Sequence, residues 1–178
     1  MSFDLVATHA TILSSLKAGG RGLVSFSPSD LPQLIRHLST PDSQERHRAI
    51  VLAAHLSHPQ RELEATLLKL MRQELGTEDT IWLLNALRRN VLQGRFKDGD
   101  RLTLEILDAL RRKLYHRDLS IVEWALRTVE ECGAQAVVFR GDLAKIKPGF
   151  WKLWQAQSRT VLELVTFLER RWAPEKLK

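Results

Sequence analysis

Histidines are the residues of this chain with the greatest capacity for chemistry, because imidazole is the commonest metal ligand in proteins. Four of the six lie between positions 37 and 58, and His55 and His58 are three residues apart, a spacing that places two side chains on one helix face. His58 precedes Pro59, however, which ends a helix, and neither an H-E-x-x-H pattern nor paired cysteines accompany it. We therefore expect histidines that cap helices or lie on the surface, and we predict no metal and no cofactor.

Two other segments resemble reactive motifs without completing one. Gly19-Gly20-Arg21-Gly22 has the glycine content of a phosphate-binding loop, but no Lys-Ser or Lys-Thr pair follows it and no strand precedes it. We interpret it as a flexible linker. Cys132 is the only cysteine, so it forms no intrachain disulfide, and its position before Gly133 suits packing at a helix end. Because the sequence contains no recognisable set of catalytic residues, we predict that the chain is not an enzyme.

The composition is that of a soluble globular protein. The 178 residues are 44% hydrophobic and 27% charged, which is enough to bury one substantial core. No run of 18 apolar residues predicts a membrane-spanning helix, and the N-terminus lacks the basic and apolar regions of a signal peptide. These patterns predict a cytoplasmic protein.

Helical periodicity runs through the whole chain. Ser27 and Pro28 form a clear helix start, and apolar residues then recur at positions 31, 34, 35 and 38, as one buried helical face requires. We expect helices at 4–17, 28–38, 42–57, 60–75, 78–93, 100–115 and 118–132, a weaker one at 135–146, and a long one after Pro148-Gly149. Thr40, Thr77 and Asp100 are the expected caps of three of them, and Gly94–Gly99 is an expected turn. No segment alternates as a strand would, which predicts an all-α fold.

A repeated pattern links three of these helices. Each contains an Asp followed seven residues later by an Ala, and the aspartates are 37 and 39 residues apart: Asp42 with Ala49, Asp79 with Ala86, and Asp118 with Ala125. A period of this length is typical of two-helix repeat units. We expect the pairs 28–38 with 42–57, 60–75 with 78–93, and 100–115 with 118–132. A plain helical bundle is the alternative.

Through Pro41-Asp42 and Arg48-Ala49, the chain resembles HEAT-like or armadillo-type helical repeats. In that family an early Asp and a later Arg in the second helix often form a ladder between repeats, and only the first unit here carries both. The resemblance implies an α-α superhelix of antiparallel helix pairs stacked as a short solenoid. Three pairs would occupy 28–133, with a capping helix and Gly-rich linker at 1–27 and capping helices at 134–178.

The resemblance also implies a concave surface, lined by the second helices, that binds a macromolecule. We predict a non-enzymatic scaffold or adaptor for a protein partner, because the exposed positions of those helices carry both charge signs. The candidate partner-binding residues are Glu45, Arg46, Asn85, Arg88, Arg89, Glu123 and Arg127.

A nucleic-acid partner is the alternative. Some HEAT-like proteins are alkylpurine DNA glycosylases, and Trp82 with Asp79, or Trp124, resembles the aromatic and acidic residues of their clefts. The net charge of +6, however, is spread thinly along the chain rather than concentrated as phosphate neutralisation requires.

The last helix carries an apolar stripe with near-heptad spacing, running from Phe150 through Trp154, Val161 and Leu168 to Trp172. We expect this stripe to pack on 135–146 as an end cap. A homodimer formed through the same stripe is the alternative, since the terminal helix of a solenoid needs covering.

Overall fold

The computed structural model describes residues 3–148 and 155–172, and this part of the chain is helical without any strand. It divides into two compact units, Met1–Asp100 and Arg101–Lys178. None of the helices in the described ranges is long and apolar enough to cross a membrane. Because the described residues form helices and no strand, the all-α prediction is confirmed.

The described residues of the first unit form six α-helices: α1 Leu5–Lys17, α2 Leu31–Leu38, α3 Ser43–Ala54, α4 Glu64–Met71, α5 Thr77–Leu87 and α6 Gln93–Asp98. Short 3-10 turns precede α2 and α4, and a π-helical turn, Arg88–Leu92, joins α5 to α6. The second unit contains α7 Leu104–Leu114, α8 Leu119–Glu131, a 3-10 segment Gly133–Phe139, α9 Arg140–Ile146 and α10 Ala156–Arg171.

The three expected pairs, α2 with α3, α4 with α5, and α7 with α8, are in contact. Beyond these pairs, α3 packs between α1 and α5. His47 near the start of α3 meets Asp79 near the start of α5, whereas Ala53 near its end meets Asn90 just beyond the end of α5, so α3 and α5 run parallel. In the second unit, α8 and α10 are also parallel. Ser120 meets Gln157 near the starts of the two helices, and Glu130 meets Arg171 near their ends.

Each unit has its own apolar core. In the first unit the fully buried side chains include Leu34, Ile50, Leu52, Leu67 and Leu83. In the second unit α10 buries Val161, Val165, Leu168 and Trp172, and it packs against α8 as well as α9. The expected apolar stripe is thus buried at these four positions, but it packs mainly on α8 and only secondarily on the expected segment 135–146. Phe150 and Trp154 lie outside the described residues.

Three of the expected caps are wrong. Asp42, not Thr40, is the N-cap of α3, because its carboxylate accepts the Glu45 amide at 2.8 Å while its own backbone is extended. Gly76 precedes α5 without any side-chain cap, so Thr77 is already helical. Thr103, rather than Asp100, caps α7.

The three repeated aspartates consequently occupy different structural positions. Asp42 and Asp118 are N-caps of α3 and α8, and Asp118 accepts the Ser120 amide at 2.9 Å. Asp79 lies inside the first turn of α5 and binds His47 instead. The spacing of 37 and 39 residues therefore reflects similar helix placement but not one conserved bond.

Gly94–Gly99 is not a turn, because the helix continues through Asp98. The side chain of Arg61 approaches Gly94 so closely that a Cβ on residue 94 would lie 3.0 Å from the Arg61 Cγ. The guanidinium of Arg61 then binds Asp98 and Asp100 at 2.7 and 2.6 Å. The helix ends only at Gly99, whose φ of +75° suits glycine.

The connection 19–24 is bonded at several points, which differs from the expected flexible linker. Gly20 donates to the Ser15 carbonyl at 2.8 Å, and a Cβ on Gly22 would lie 3.1–3.2 Å from atoms of His55, Ile12 and Leu16. Val24 then forms an isolated parallel bridge with Leu56, donating to the His55 carbonyl and accepting from the Ser57 amide. Tertiary packing thus fixes a segment that its glycine content alone leaves free.

Candidate interaction site

A groove of about 620 Å³ lies where the N-terminal ends of α1 and α3 meet α2. We call it the α1–α3 groove. Phe3, Leu5 and Val6 supply its apolar lining. Its charged and titratable lining residues are Asp4, His37, Asp42, Glu45 and Arg48. A groove with both kinds of lining suits a protein segment better than a polyanion.

Two of the groove's carboxylates hold the helix starts that form its walls. Asp4 accepts the amides of Val6 and Ala7 at 2.9 and 3.0 Å, and Asp42 accepts that of Glu45 at 2.8 Å. A carboxylate at an N-cap satisfies amides that the helix leaves unpaired and complements its dipole. These two aspartates therefore help to fix the shape of the groove.

Glu45 and His37 connect α3 to α2 across the groove. The His37 Nδ1 and the Glu45 Oε1 are 2.5 Å apart. The His37 ring also lies 6.0 Å from the ring of Phe3, which in turn meets Phe26 edge-on at 5.1 Å. The third carboxylate of the groove is thus engaged, and an aromatic cluster supports its apolar wall.

Arg48 differs from the other charged residues of the groove. Its side chain is half-buried, and within 3–148 and 155–172 no carboxylate forms an ion pair with it. The ladder that helical-repeat proteins form between Asp and Arg is not made here, because Asp42 caps its own helix. Arg48 is therefore a cation of the groove that no side chain of the described ranges pairs directly, although Asp4, Asp42 and Glu45 line the same groove. Its guanidinium can donate to an anionic group on a ligand.

A row of polar side chains crosses α1, α3 and α5 beside the groove. The rings of His9 and His47 are 5.8 Å apart and edge-on, and the His47 Nδ1 lies 2.5 Å from the Asp79 Oδ1. Burial, followed by the charges of His47, Arg48 and His55, lowers the pKa of His9. Its Nε2 is buried without a hydrogen-bond partner in the described part of the chain.

The lowered pKa of His9 predicts a pH-dependent stability. The unfolded chain binds the His9 proton at a higher pH than the folded chain does, so the free energy of unfolding falls as the pH drops from about 6.5 towards the folded pKa. Between pH 7 and pH 5.5, His9→Gln should therefore lose less stability than the wild type in urea unfolding. His58→Gln, at an exposed position, is the control and should lose as much as the wild type. An equal loss in all three proteins would contradict this role of His9.

Farther along α3, a second set of contacts is structural. His55 is buried and donates from Nδ1 to the Val51 carbonyl at 2.8 Å, with the Trp82 ring 5.0 Å away. Arg89 donates from Nε to the Leu56 carbonyl. Burial, and secondarily the charge of Arg88, lowers the pKa of the Arg89 guanidinium. These contacts hold α3 and α5 together.

The structure distributes the candidate partner-binding residues over several places. Glu45 lines the α1–α3 groove, whereas its neighbour Arg46 lines a different cavity. Asn85 donates to the Ile81 carbonyl of its own helix at 3.1 Å. Arg88 and Arg89 are half-buried in the π-helical turn.

The remaining two, Glu123 and Arg127, lie in the second unit. They form an ion pair of 2.8 Å one turn apart on α8, and the Arg127 guanidinium also lies 5.9 Å from the centre of the Trp124 ring. Pairs at this spacing stabilise a helix by only about 0.2–0.5 kcal/mol. Trp124 is thus covered by its own helix neighbour.

Of the residues that line the groove, only Glu45 is among the sequence-based candidates; Phe3, Asp4, His37 and Arg48 are not. Asp4 directly before the apolar period of α1 is an N-cap signal that could have been found. Arg48 was noted only for its family position, and its exposure to a groove depends on α1, which is distant in sequence. His37 and Phe3 carried no local signal at all.

Metal and thiol chemistry find no support in the described residues. Nowhere in 3–148 and 155–172 do three His, Cys, Asp or Glu side chains gather as a metal site. Burial, and to a lesser extent Glu131, raises the pKa of Cys132 to about 12, and its Sγ lies 3.4 Å from the Thr128 carbonyl. Such a thiol is unreactive at neutral pH.

Fold and site together define an all-helical protein with a mixed polar and apolar groove. No protein-family model matches the chain, and no curated protein or solved structure matches it either.

Proposed function

We propose that this chain is a helical-repeat protein of HEAT or armadillo type that binds a protein partner and catalyses no reaction. The parallel packing of α3 and α5 supports this, because second helices of successive repeats stack side by side in such proteins. The contacts of α2 with α3 and of α4 with α5 supply the corresponding helix pairs.

The observation that carries the proposal is Arg48 in the α1–α3 groove. Its half-buried guanidinium has no carboxylate partner in the described ranges, and it lines the same groove as the apolar side chains of Phe3, Leu5 and Val6. We infer that the partner inserts a segment carrying a carboxylate and an adjacent apolar side chain. The charge-assisted bond to Arg48 would fix the register of the segment, and the apolar wall would supply burial.

We also propose a reducing compartment, the cytoplasm, as the location. The single cysteine of the sequence forms no intrachain disulfide, which suits an environment that keeps thiols reduced.

Reversing the charge of Arg48 should remove most of the affinity for the partner. Proteins are captured on the immobilised wild-type chain, identified by mass spectrometry, purified, and titrated by isothermal calorimetry. Arg48→Glu should weaken that purified interaction by about a hundredfold or more, because a bonded charge pair is replaced by repulsion. Arg36→Glu, on the exposed face of α2, changes the net charge by the same amount. It should weaken the affinity for the partner by less than about threefold, because exposed charges contribute little.

Two results would contradict the proposal. One is equal affinity of Arg48→Glu and the wild type for the purified partner. The other is tight binding of labelled duplex or single-stranded DNA, measured by fluorescence anisotropy, that weakens steeply with salt, which would establish phosphate contact as the main function.

A further inference from the structure

A second cavity of about 210 Å³ lies in the first unit, between the α2–α3 connection and α4. We call it the Arg46 pocket. Its polar lining residues are Ser39, Thr40, Arg46, Thr66, Lys69 and Gln73. The space accommodates several water-sized groups, which is enough for one tetrahedral oxyanion.

The lining of the Arg46 pocket is positive. Arg46 and Lys69 contribute two cations, and no carboxylate belongs to the lining. In the part of the chain that the structure describes, neither cation forms an ion pair with an acidic side chain. The nearby Asp42 carboxylate is already bonded to the Glu45 amide. Three hydroxyls and one amide add neutral hydrogen-bond donors.

The guanidinium of Arg46 is held in place with bonding capacity to spare. Its Nη1 donates to the carbonyls of Thr40 and Pro41 at 2.9 and 3.4 Å, which fixes it on the α2–α3 connection. Its Nε is buried and has no acceptor among the described residues. Because this Nε is buried, an oxyanion in the pocket would bond to the other guanidinium nitrogens of Arg46 rather than to Nε.

We propose that the Arg46 pocket binds a phosphate monoester, supplied by a phosphorylated serine or threonine of the protein partner. A monoester carries close to two negative charges at neutral pH, which matches the two cations, and its oxygens match the surrounding hydroxyl donors. A phosphodiester of nucleic acid carries one charge and brings a flanking backbone that a pocket of this size excludes. This inference rests on the proposed function for the source of the phosphate but on the pocket alone for its chemistry.

The test is two-dimensional NMR of the 15N-labelled full chain, titrated separately with inorganic phosphate and with N-acetyl-phosphoserine amide at constant ionic strength. We expect saturable shifts of the amides in 39–46 and 66–73, none in 104–146, and tighter binding of the phosphoserine amide than of phosphate. N-acetyl-serine amide should cause no shift.

Matched variants assign the binding to the pocket. Lys69→Gln should weaken phosphoserine binding by about tenfold, the effect of one charge-assisted bond, whereas Lys97→Gln on the exposed face of α6 should leave it unchanged. Arg46→Gln should abolish binding. If loss of the Arg46 bonds to the α2–α3 connection disturbs folding, Lys69→Gln still tests the pocket, because Lys69 makes no such bond in the described part of the chain.

Each of three results would overturn the proposal: no saturable shift at the pocket, binding of inorganic phosphate without binding of the phosphoserine amide, or tighter binding of a single-stranded oligonucleotide at these residues. The titration uses no partner protein, so its failure is distinct from a failure of the Arg48→Glu experiment.

Discussion

Asn90→Ala should lower the free energy of unfolding by about 2–4 kcal/mol, since it leaves several buried backbone groups without partners. The Asn90 side chain is fully buried at the π-helical turn. Its Nδ2 donates to the carbonyls of Ala53 and Ala86 at 2.7 and 2.9 Å, and its Oδ1 accepts the Gln60 amide at 3.2 Å. Urea unfolding followed by far-ultraviolet circular dichroism measures the loss.

Asn85→Ala is the matched control for that change. Asn85 lies on α5, just before the π-helical turn, but it is only half-buried and its amide donates to the Ile81 carbonyl of its own helix. Its removal should cost no more than about 1 kcal/mol, the net value of an ordinary hydrogen bond. Equal losses in the two variants would mean that Asn90 does not connect α3 to α5.

Phe139→Ala should destabilise the second unit by about 3–5 kcal/mol, the usual cost of emptying a buried aromatic site. Phe139 is fully buried, and the guanidinium of Arg111 lies 5.6 Å from the centre of its ring. The loss should appear as faster amide hydrogen exchange in 104–146, measured by mass spectrometry, with little change in 31–98.

Val138→Ala is the control that distinguishes the loss of a buried side chain from a general effect of changing this 3-10 segment. Val138 precedes Phe139 in the same 3-10 segment, yet 52% of its surface is exposed. We expect a change within about 0.5 kcal/mol and unchanged exchange. A comparable loss at position 138 would show that the backbone of this segment, rather than the buried ring, carries the stability.

The helices were predictable because their apolar periodicity is local. The start of α2 at Ser27-Pro28 and the stripe of α10 depend on residues within one or two turns, and the structure contains both. Helix ends were less predictable, because several polar residues near a start compete for the cap. At α3 both Thr40 and Asp42 precede the helix, and Asp42 is the residue that caps it.

The site was predictable only in part, because its walls come from helices distant in sequence. Glu45 was selected for its exposed position on α3, and it does line the α1–α3 groove. Phe3 lies more than 30 residues from His37, and nothing local indicates that their rings meet. Likewise, the value of Arg48 as a cation depends on which carboxylates fail to reach it, a property of the whole fold.

The bridge between Val24 and Leu56 connects the segment after α1 to the end of α3. Two backbone hydrogen bonds attach Val24, after α1, to the chain at the end of α3, which limits how far the C-terminal ends of the two helices can separate. At their N-terminal ends, the Asp4 and Asp42 caps and the His37–Glu45 contact hold the walls of the groove. If the proposed partner segment binds there, most of the loss of conformational freedom would fall on that segment. A partner whose segment is already stiff would thus associate more tightly than one that must first become ordered.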